Sequence, residues 1–415
     1  MSDPSFGISI TRIDNEPRPA VWSDMAVVGI IGTAPEADAG VFPVDTPVFM
    51  YSDDAAKRTA LGTAGTLAGA LNLINAQLGE FQVAAKVVVV RVTEGADADE
   101  TIVNIVGNGS TTGLAAFIDA GPLLGVIPRL LCAPGFTSQR DGTNANAVCA
   151  ALPAVCAKLL AHAVVDGPAT TEQAALDWRE TLSSDRLIPV DPAVKVLIGT
   201  AETVIPISPA VIGIAVRRDH EKQGRPFHSW ANQPVRGIVG PSRPINFSLT
   251  DGATEGQRLL ASNVGVLLRG EMGVETAIAS GGFVFVGTDN AGEDDLWRFY
   301  NVTRGRDFIH LMFLRTLRYY LGRFNITGQT VQAVVNTMSF ALRDLKADGD
   351  ILGYEVKFTR DQNSPEQLRM GKFTVNFAAE EAPVLRYLGI QSARYRPALD
   401  ALLDDLLAQV DAVTG

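Results

Sequence analysis

The chain of 415 residues is poor in cysteine and histidine and has no long hydrophobic run. Its three cysteines, Cys132, Cys149 and Cys156, are too few, and odd in number, for a disulfide framework. Cys149 and Cys156 stand seven apart, which puts them on one side of a helix. That spacing predicts buried thiols in a reducing compartment, with a bond between subunits as the minor alternative. No CxxC occurs and His162 is the one histidine nearby, so a zinc site is not expected. The four histidines, His162, His220, His228 and His310, form no HExxH. His220 and His228 lie among arginines and aspartates and read as loop residues rather than as a metal pair. A P-loop and a GxSxG elbow are both missing. Gly62, Gly65 and Gly69 border a helix without dinucleotide-loop spacing. No cofactor is expected, and catalysis loses its commonest markers. The acidic pairs at 53–54, 294–295 and 404–405 read as helix starts or surface charge. The most apolar stretches, Ala26–Ile31 and Val87–Val90, are strand-sized, well short of the ~20 residues that span a bilayer. Met1–Ile10 has no basic or apolar signal region. A chain made in a cytoplasm, with no targeting signal and no membrane insertion, is the expectation.

Positive charge is also scarce: 35 basic residues against 46 acidic give a net −11. Phosphate backbones reward the opposite sign, so nucleic-acid binding by bulk electrostatics is excluded. A hydrophobic content of 47% is enough to drive folding, and at roughly 150 residues per domain the length predicts two or three compact units.

Along the chain, Phe6, Ile8 and Ile10 alternate with small polar residues as an extended strand, stopped by Asn15-Glu16-Pro17-Arg18-Pro19. Such a strand must pair with its own body or with another chain. Strands are then expected at Ala26–Ile31, Val87–Val92, Leu130–Cys132, Ala163–Val165, Leu187–Val190, Val194–Ile198 and Gly281–Gly287. Helical spacing places helices around Leu67–Leu78, Leu114–Asp119, Val148–Leu159 and Thr171–Thr181. Asn144 is the expected cap of the third of these helices, and Pro153 its expected bend or break. Continuous apolar strands alternating with helices predict an α/β layer with a largely parallel, doubly covered sheet. Residues 220–257 read as loop. Phe373, Val375 and Phe377 alternate as a strand, and an acidic amphipathic helix covers about Ala398–Val410.

The tract from Trp297 to Lys346 stands apart. It carries eight basic residues (Arg298, Arg304, Arg306, Arg315, Arg318, Arg323, Arg343, Lys346) against Asp307 and Asp344. That is +6 here and −17 over the rest. A helix through Asp307–Arg323 would put Arg315 and Arg318 on one face, with Arg304 about 20° from Arg315 if the helix reached back that far. Such a face suits an acidic partner, because guanidinium forks pair carboxylates in fixed geometry; an ordinary solvated face remains the other reading.

Five blocks in order resemble the sheath protein of contractile phage tails, in the smaller version of myophages and R-type bacteriocins. They are Gly7–Ile10 with Arg18-Pro19 and Val27–Pro35; Val88–Val92 with Glu94-Gly95 and Thr101–Gly107; Pro128–Gly135; a loop holding Arg217-Arg218-Asp219, Gly224 and Ala231-Asn232; and Asn301–Arg306, leading into the inner helix. The resemblance covers essentially the whole chain. Two departures stand out. The family's tryptophan-glycine-arginine-threonine block is not recognisable near Gly282–Gly287, and a helix continues beyond Tyr395.

The resemblance implies a fold that is α/β (α+β overall), with an N-terminal arm at 1–22, an outer α/β domain at 23–280, an inner α+β tube-facing domain at 281–382, and a C-terminal arm and helix at 383–415. It implies a structural subunit, not an enzyme, that polymerises with itself as stacked six-fold rings around a tail tube and contracts to drive the tube through the host envelope. Phe6, Ile8 and Ile10 would carry the inter-subunit arm, Phe373, Val375 and Phe377 the arm-receiving sheet, and Arg304, Arg315 and Arg318 would face the tube. The implied partners are the tail tube, baseplate and tail terminator proteins, with no nucleic acid, and the implied location is the virion tail, assembled in the host bacterial cytoplasm. A soluble α/β enzyme without a local motif is the rival reading. A type VI secretion sheath component is a third, although those are normally split into two chains.

Overall fold

Strands β1 (Val28–Thr33), β2 (Pro47–Tyr51), β3 (Lys86–Val92), β4 (Leu130–Cys132), β5 (His162–Asp166) and β6 (Leu187–Asp191) open a computed structural model that describes residues 23–79, 83–140 and 142–414. They are followed by β7 (Val194–Ile198), β8 (Ala201–Ile205), β9 (Gln233–Pro234), β10 (Gly240–Pro241), β11 (Gly265–Arg269) and β12 (Phe283–Val286). The main sheet has the order β2-β3-β1-β4-β5-β6-β11-β12-β9. The run β3-β1-β4-β5-β6-β11 is parallel, and the antiparallel strands lie at its two ends.

The continuous apolar runs have a direct cause. Alternate residues of each strand feed two separate cores: Val28, Ile30, Val87 and Val89 enter one, and Val27, Ile31, Val88 and Val90 enter the other. With period-two side chains and both faces covered, no polar alternation survives. Helices α1 (Ala55–Leu61) and α2 (Leu67–Leu78) contribute to the first core; α3 (Ala98–Val106), α4 (Ala116–Leu124) and α5 (Ala147–Leu159) build the second, beside α6 (Glu172–Arg179). Helix α7 (Ser208–Glu221) packs on α2 in the first core. Gly213 permits that approach, since a Cβ there would meet Gln77 at 2.8 Å. Helix α8 (Glu255–Ala261) covers β11.

Several expectations need correction. Asn146, not Asn144, caps α5: its side chain accepts from the amides of Val148 and Cys149, at the place where the buried stripe begins. Pro153 does not break that helix, which runs on because Leu152, Val155, Cys156 and Leu159 are all buried. Arg217, Arg218 and Asp219 belong to the last turns of α7, not to a loop.

Helices α9 (Tyr300–Leu317) and α10 (Gly328–Ala347), with strands β13 (Ile351–Lys357) and β14 (Asn376–Glu381), surround a third apolar cluster containing Phe308, Met312, Leu342 and Leu345. The helix expected at Asp307–Arg323 therefore starts earlier and stops at Leu317, before a turn in which Gly322 has φ 72°. Helix α11 (Pro365–Arg369) is closed by a Ser364–Gln367 capping box. Leu385–Gly415 form a separate unit from Met1–Val384, and helix α12 (Pro397–Thr414) lies within it. Among the described residues no helix is long and apolar enough to cross a membrane.

Candidate assembly surfaces

Helix α9 is built into the body through charge. The Arg304 guanidinium is fully buried and forks onto Asp219 of α7, at 2.6 and 3.2 Å, while its Nη2 also donates to the Met25 carbonyl at 3.3 Å. It lies 5.0 Å from the ring centroid of Trp230, which stacks on Tyr300 at 4.4 Å. Arg186, just before β6, holds Asp307, whose carboxyl is nevertheless pushed up by burial. Arg306 pairs with Glu381 of β14 through bonds of 2.7 and 2.8 Å and donates to the Ala379 carbonyl at 2.6 Å. Arg298 reaches Asp289 at 3.1 Å. Thus Arg298, Arg304 and Arg306 bind acids from outside the basic tract. Arg315, Arg318 and Arg323, near the end of α9, and Arg343 and Lys346 on α10 are exposed, and Arg343 reaches Asp344 at 3.3 Å.

Beside that end of α9 lies an apolar groove of about 790 Å³. Its walls are the last turns of α9, the turn through Leu321 and Phe324, the start of α10, and the segment 371–377. Phe373, Val375 and Phe377 line it, and the Phe377 ring meets Phe313 edge-on at 5.0 Å. Leu314, Leu321 and Phe324 are 62%, 77% and 48% exposed, so the lip is open to water. Arg318 and Lys372 stand in the lining, which contains no carboxylate.

The neighbouring β13–β14 sheet has two antiparallel strands, registered from Ile351↔Glu381 to Lys357↔Asn376. Among the described residues neither strand has a second partner, which leaves two rows of backbone donors and acceptors for another strand. Between β14 and α12 the chain has no regular element, and Leu385, Tyr387, Leu388, Ile390 and Tyr395 are 70–85% exposed.

No family model matches the chain. It is 29% identical over 406 residues to the tail sheath protein of Escherichia phage P2, covering 94% of this chain and 96% of that one. It is 29% identical over 388 residues to a putative prophage major tail sheath protein of Pseudomonas aeruginosa strain UCBPP-PA14, covering 91% and 93%. These near full-length similarities support a place in the contractile tail sheath family.

Two solved sheaths share the fold of this sheath protein. One is the contracted sheath complex of the extracellular contractile injection system PVC (TM-score 0.68, 15% identity, 95% of this chain and 99% of that one). The other is the contracted helical sheath of the anti-feeding prophage (TM-score 0.67, 17% identity, 95% and 100%). The sheath family is structural, so the subunit's working parts are surfaces rather than a reaction centre. Among the described residues no three His, Cys, Asp or Glu side chains converge as a metal site. His228 instead stands 3.6 Å from Asp350. The three cysteines are free and buried, with Cys156 pushed up to about 12 by burial.

Of the residues singled out from sequence, Arg315 and Arg318 are exposed near the end of α9. Arg304 is corrected: it is sealed inside the sheath subunit and has no surface to offer a tube. Phe373, Val375 and Phe377 come together on the groove, although Phe373 and Val375 precede the strand. Phe6, Ile8 and Ile10 lie outside the described residues. The groove itself went unseen in the sequence. Its one local signal was the cluster Tyr319, Tyr320, Leu321 and Phe324 directly after the arginines.

Proposed function

We propose that this sheath subunit polymerises by exchanging terminal arms with its neighbours, and that the arm holding Phe6, Ile8 and Ile10 adds to the β13–β14 sheet of another copy. The observation that carries this is a two-stranded sheet with two open edges beside an apolar groove. Strand addition supplies backbone hydrogen bonds along an edge, and alternate side chains of the arm would meet apolar surface. Twenty extended residues reach about 66 Å, so an arm can enter a neighbour.

The subunits would stack as six-fold rings around a tail tube, between a baseplate and a terminator, in the tail of a virion assembled in the bacterial cytoplasm. The division proposed is an arm at 1–22, an outer domain at 23–280, an inner tube-facing domain at 281–382, and a C-terminal arm and helix at 383–415. Arg315 and Arg318 are the tube-facing candidates. Contraction would trade one set of contacts between bodies for a lower-energy set while the arms hold as tethers. The extended state would then be held by a barrier, not by a bound nucleotide.

Deletion of residues 1–20 tests the reading. The expected product is a soluble folded body by circular dichroism that forms no long tubes by electron microscopy. Normal tubes from the truncated chain would refute the arm.

A further inference from the structure

Helix α12 carries Leu399, Leu402, Leu403, Leu406, Leu407 and Val410, each 48–63% exposed. At 100° per residue these fall within an arc of about 140°, a continuous apolar stripe. Asp400 and Asp404 border one edge of the stripe and Asp405 the other. The helix has four aspartates and no lysine or arginine. A leucine face of this kind needs cover, and its charge narrows what can supply it. A second α12 would bring aspartates against aspartates.

The groove beside α9 has the complementary character. It is apolar along its floor, open at Leu314 and Leu321, and carries Arg318 and Lys372 with no carboxylate in its lining. Residues 382–396, which have no regular element, can span about 50 Å when extended.

We propose that α12 of one subunit lays its leucine stripe into the α9–α10 groove of a neighbouring copy, with Asp404 and Asp405 against Lys372. This is helix-in-groove recognition, in which apolar anchors at helical spacing supply affinity and the flanking charges set orientation. It rests on the assembly reading above and adds a second, chemically different link to the strand-exchanging arms.

The test mixes two full-length variants, Leu403→Cys and Leu321→Cys, lets them assemble and applies a mild oxidant; the native thiols are buried. The expected result is a disulfide-linked dimer with one chain of each kind, absent from either variant alone. Adding Asp404→Lys and Asp405→Lys to the first variant should cut the yield several-fold. Adding Lys372→Asp to the second should restore part of it. Two outcomes would overturn the docking: no mixed dimer, or self-linked Leu403→Cys chains. Electron microscopy of the same samples separates the two readings. Tubes without mixed dimers sink the docking alone, whereas samples that never form tubes sink the assembly reading.

Discussion

Burying the Arg304 guanidinium removes a charge from water, and Asp219 offsets that cost by accepting both of its forked bonds. Removing the arginine leaves a carboxylate uncompensated in the interior. Arg304→Met should therefore destabilise the body by about 3–5 kcal/mol, read as a lowered urea midpoint at unchanged m-value. A loss under about 1 kcal/mol would mean that water reaches Asp219. Asp166, at the end of β5, gives a second residue-scale prediction. Its carboxyl accepts from the Ser208 amide at 2.7 Å and hydroxyl at 2.6 Å, yet burial pushes it up to about 7. An unfolded aspartate titrates near 3.9, so between about pH 4 and 7 the folded state holds the extra proton. Stability from this group is full below that window, falls as pH rises through it, and is flat above. Unfolding curves at pH 5 and pH 8 should differ for the natural chain, and Asp166→Asn should shrink the difference. An undiminished difference in the variant would assign the slope to another group.

Elements were legible in the sequence wherever burial left a pattern. The strands β1, β3 to β7 and β12 show as apolar runs and α2 as a heptad-like stripe, because one or both faces are uniformly dry. Helix α7 was not legible for the same physical reason taken further: Ser208 through Arg217 are all buried, so no polar face marks its period. The short strands β9 and β10 arise from tertiary pairing alone. Helix α9 misled in a different way. Its arginines look alike in sequence, but Arg298, Arg304 and Arg306 meet acids at 219, 289 and 381 that only the fold brings near. The exposed end of α9 keeps the proposed role. Arg315→Glu with Arg318→Glu should leave the unfolding free energy within about 0.5 kcal/mol, because both side chains are exposed. The same variant should lose co-sedimentation with assembled tail tubes, and more so at low salt. Undiminished co-sedimentation would move the tube-facing surface elsewhere.

At the scale of the molecule, a contractile sheath subunit must change neighbours without losing its fold. The seam beside α9 is suited to that. Arg304 ties the helix to α7, Arg186 ties it to the approach of β6, and Arg306 ties it to β14, each with a carboxylate that is nearly or wholly buried. Sliding at this seam would expose several charges at once to mismatched surroundings, so intermediate positions are costly and the body behaves as one piece. Residues 382–396 have no regular element and expose their large apolar side chains. Reorganisation on contraction should therefore concentrate in that linker and in residues 1–22. Hydrogen exchange on extended and contracted sheaths checks this. Amides of α7, α9 and β5 should keep the same protection in both states, while those of 1–22 and 382–396 change. If amides of α7 and α9 exchanged at different rates in the two states, the seam would be a hinge, and the buried ion pairs would be contacts that contraction breaks.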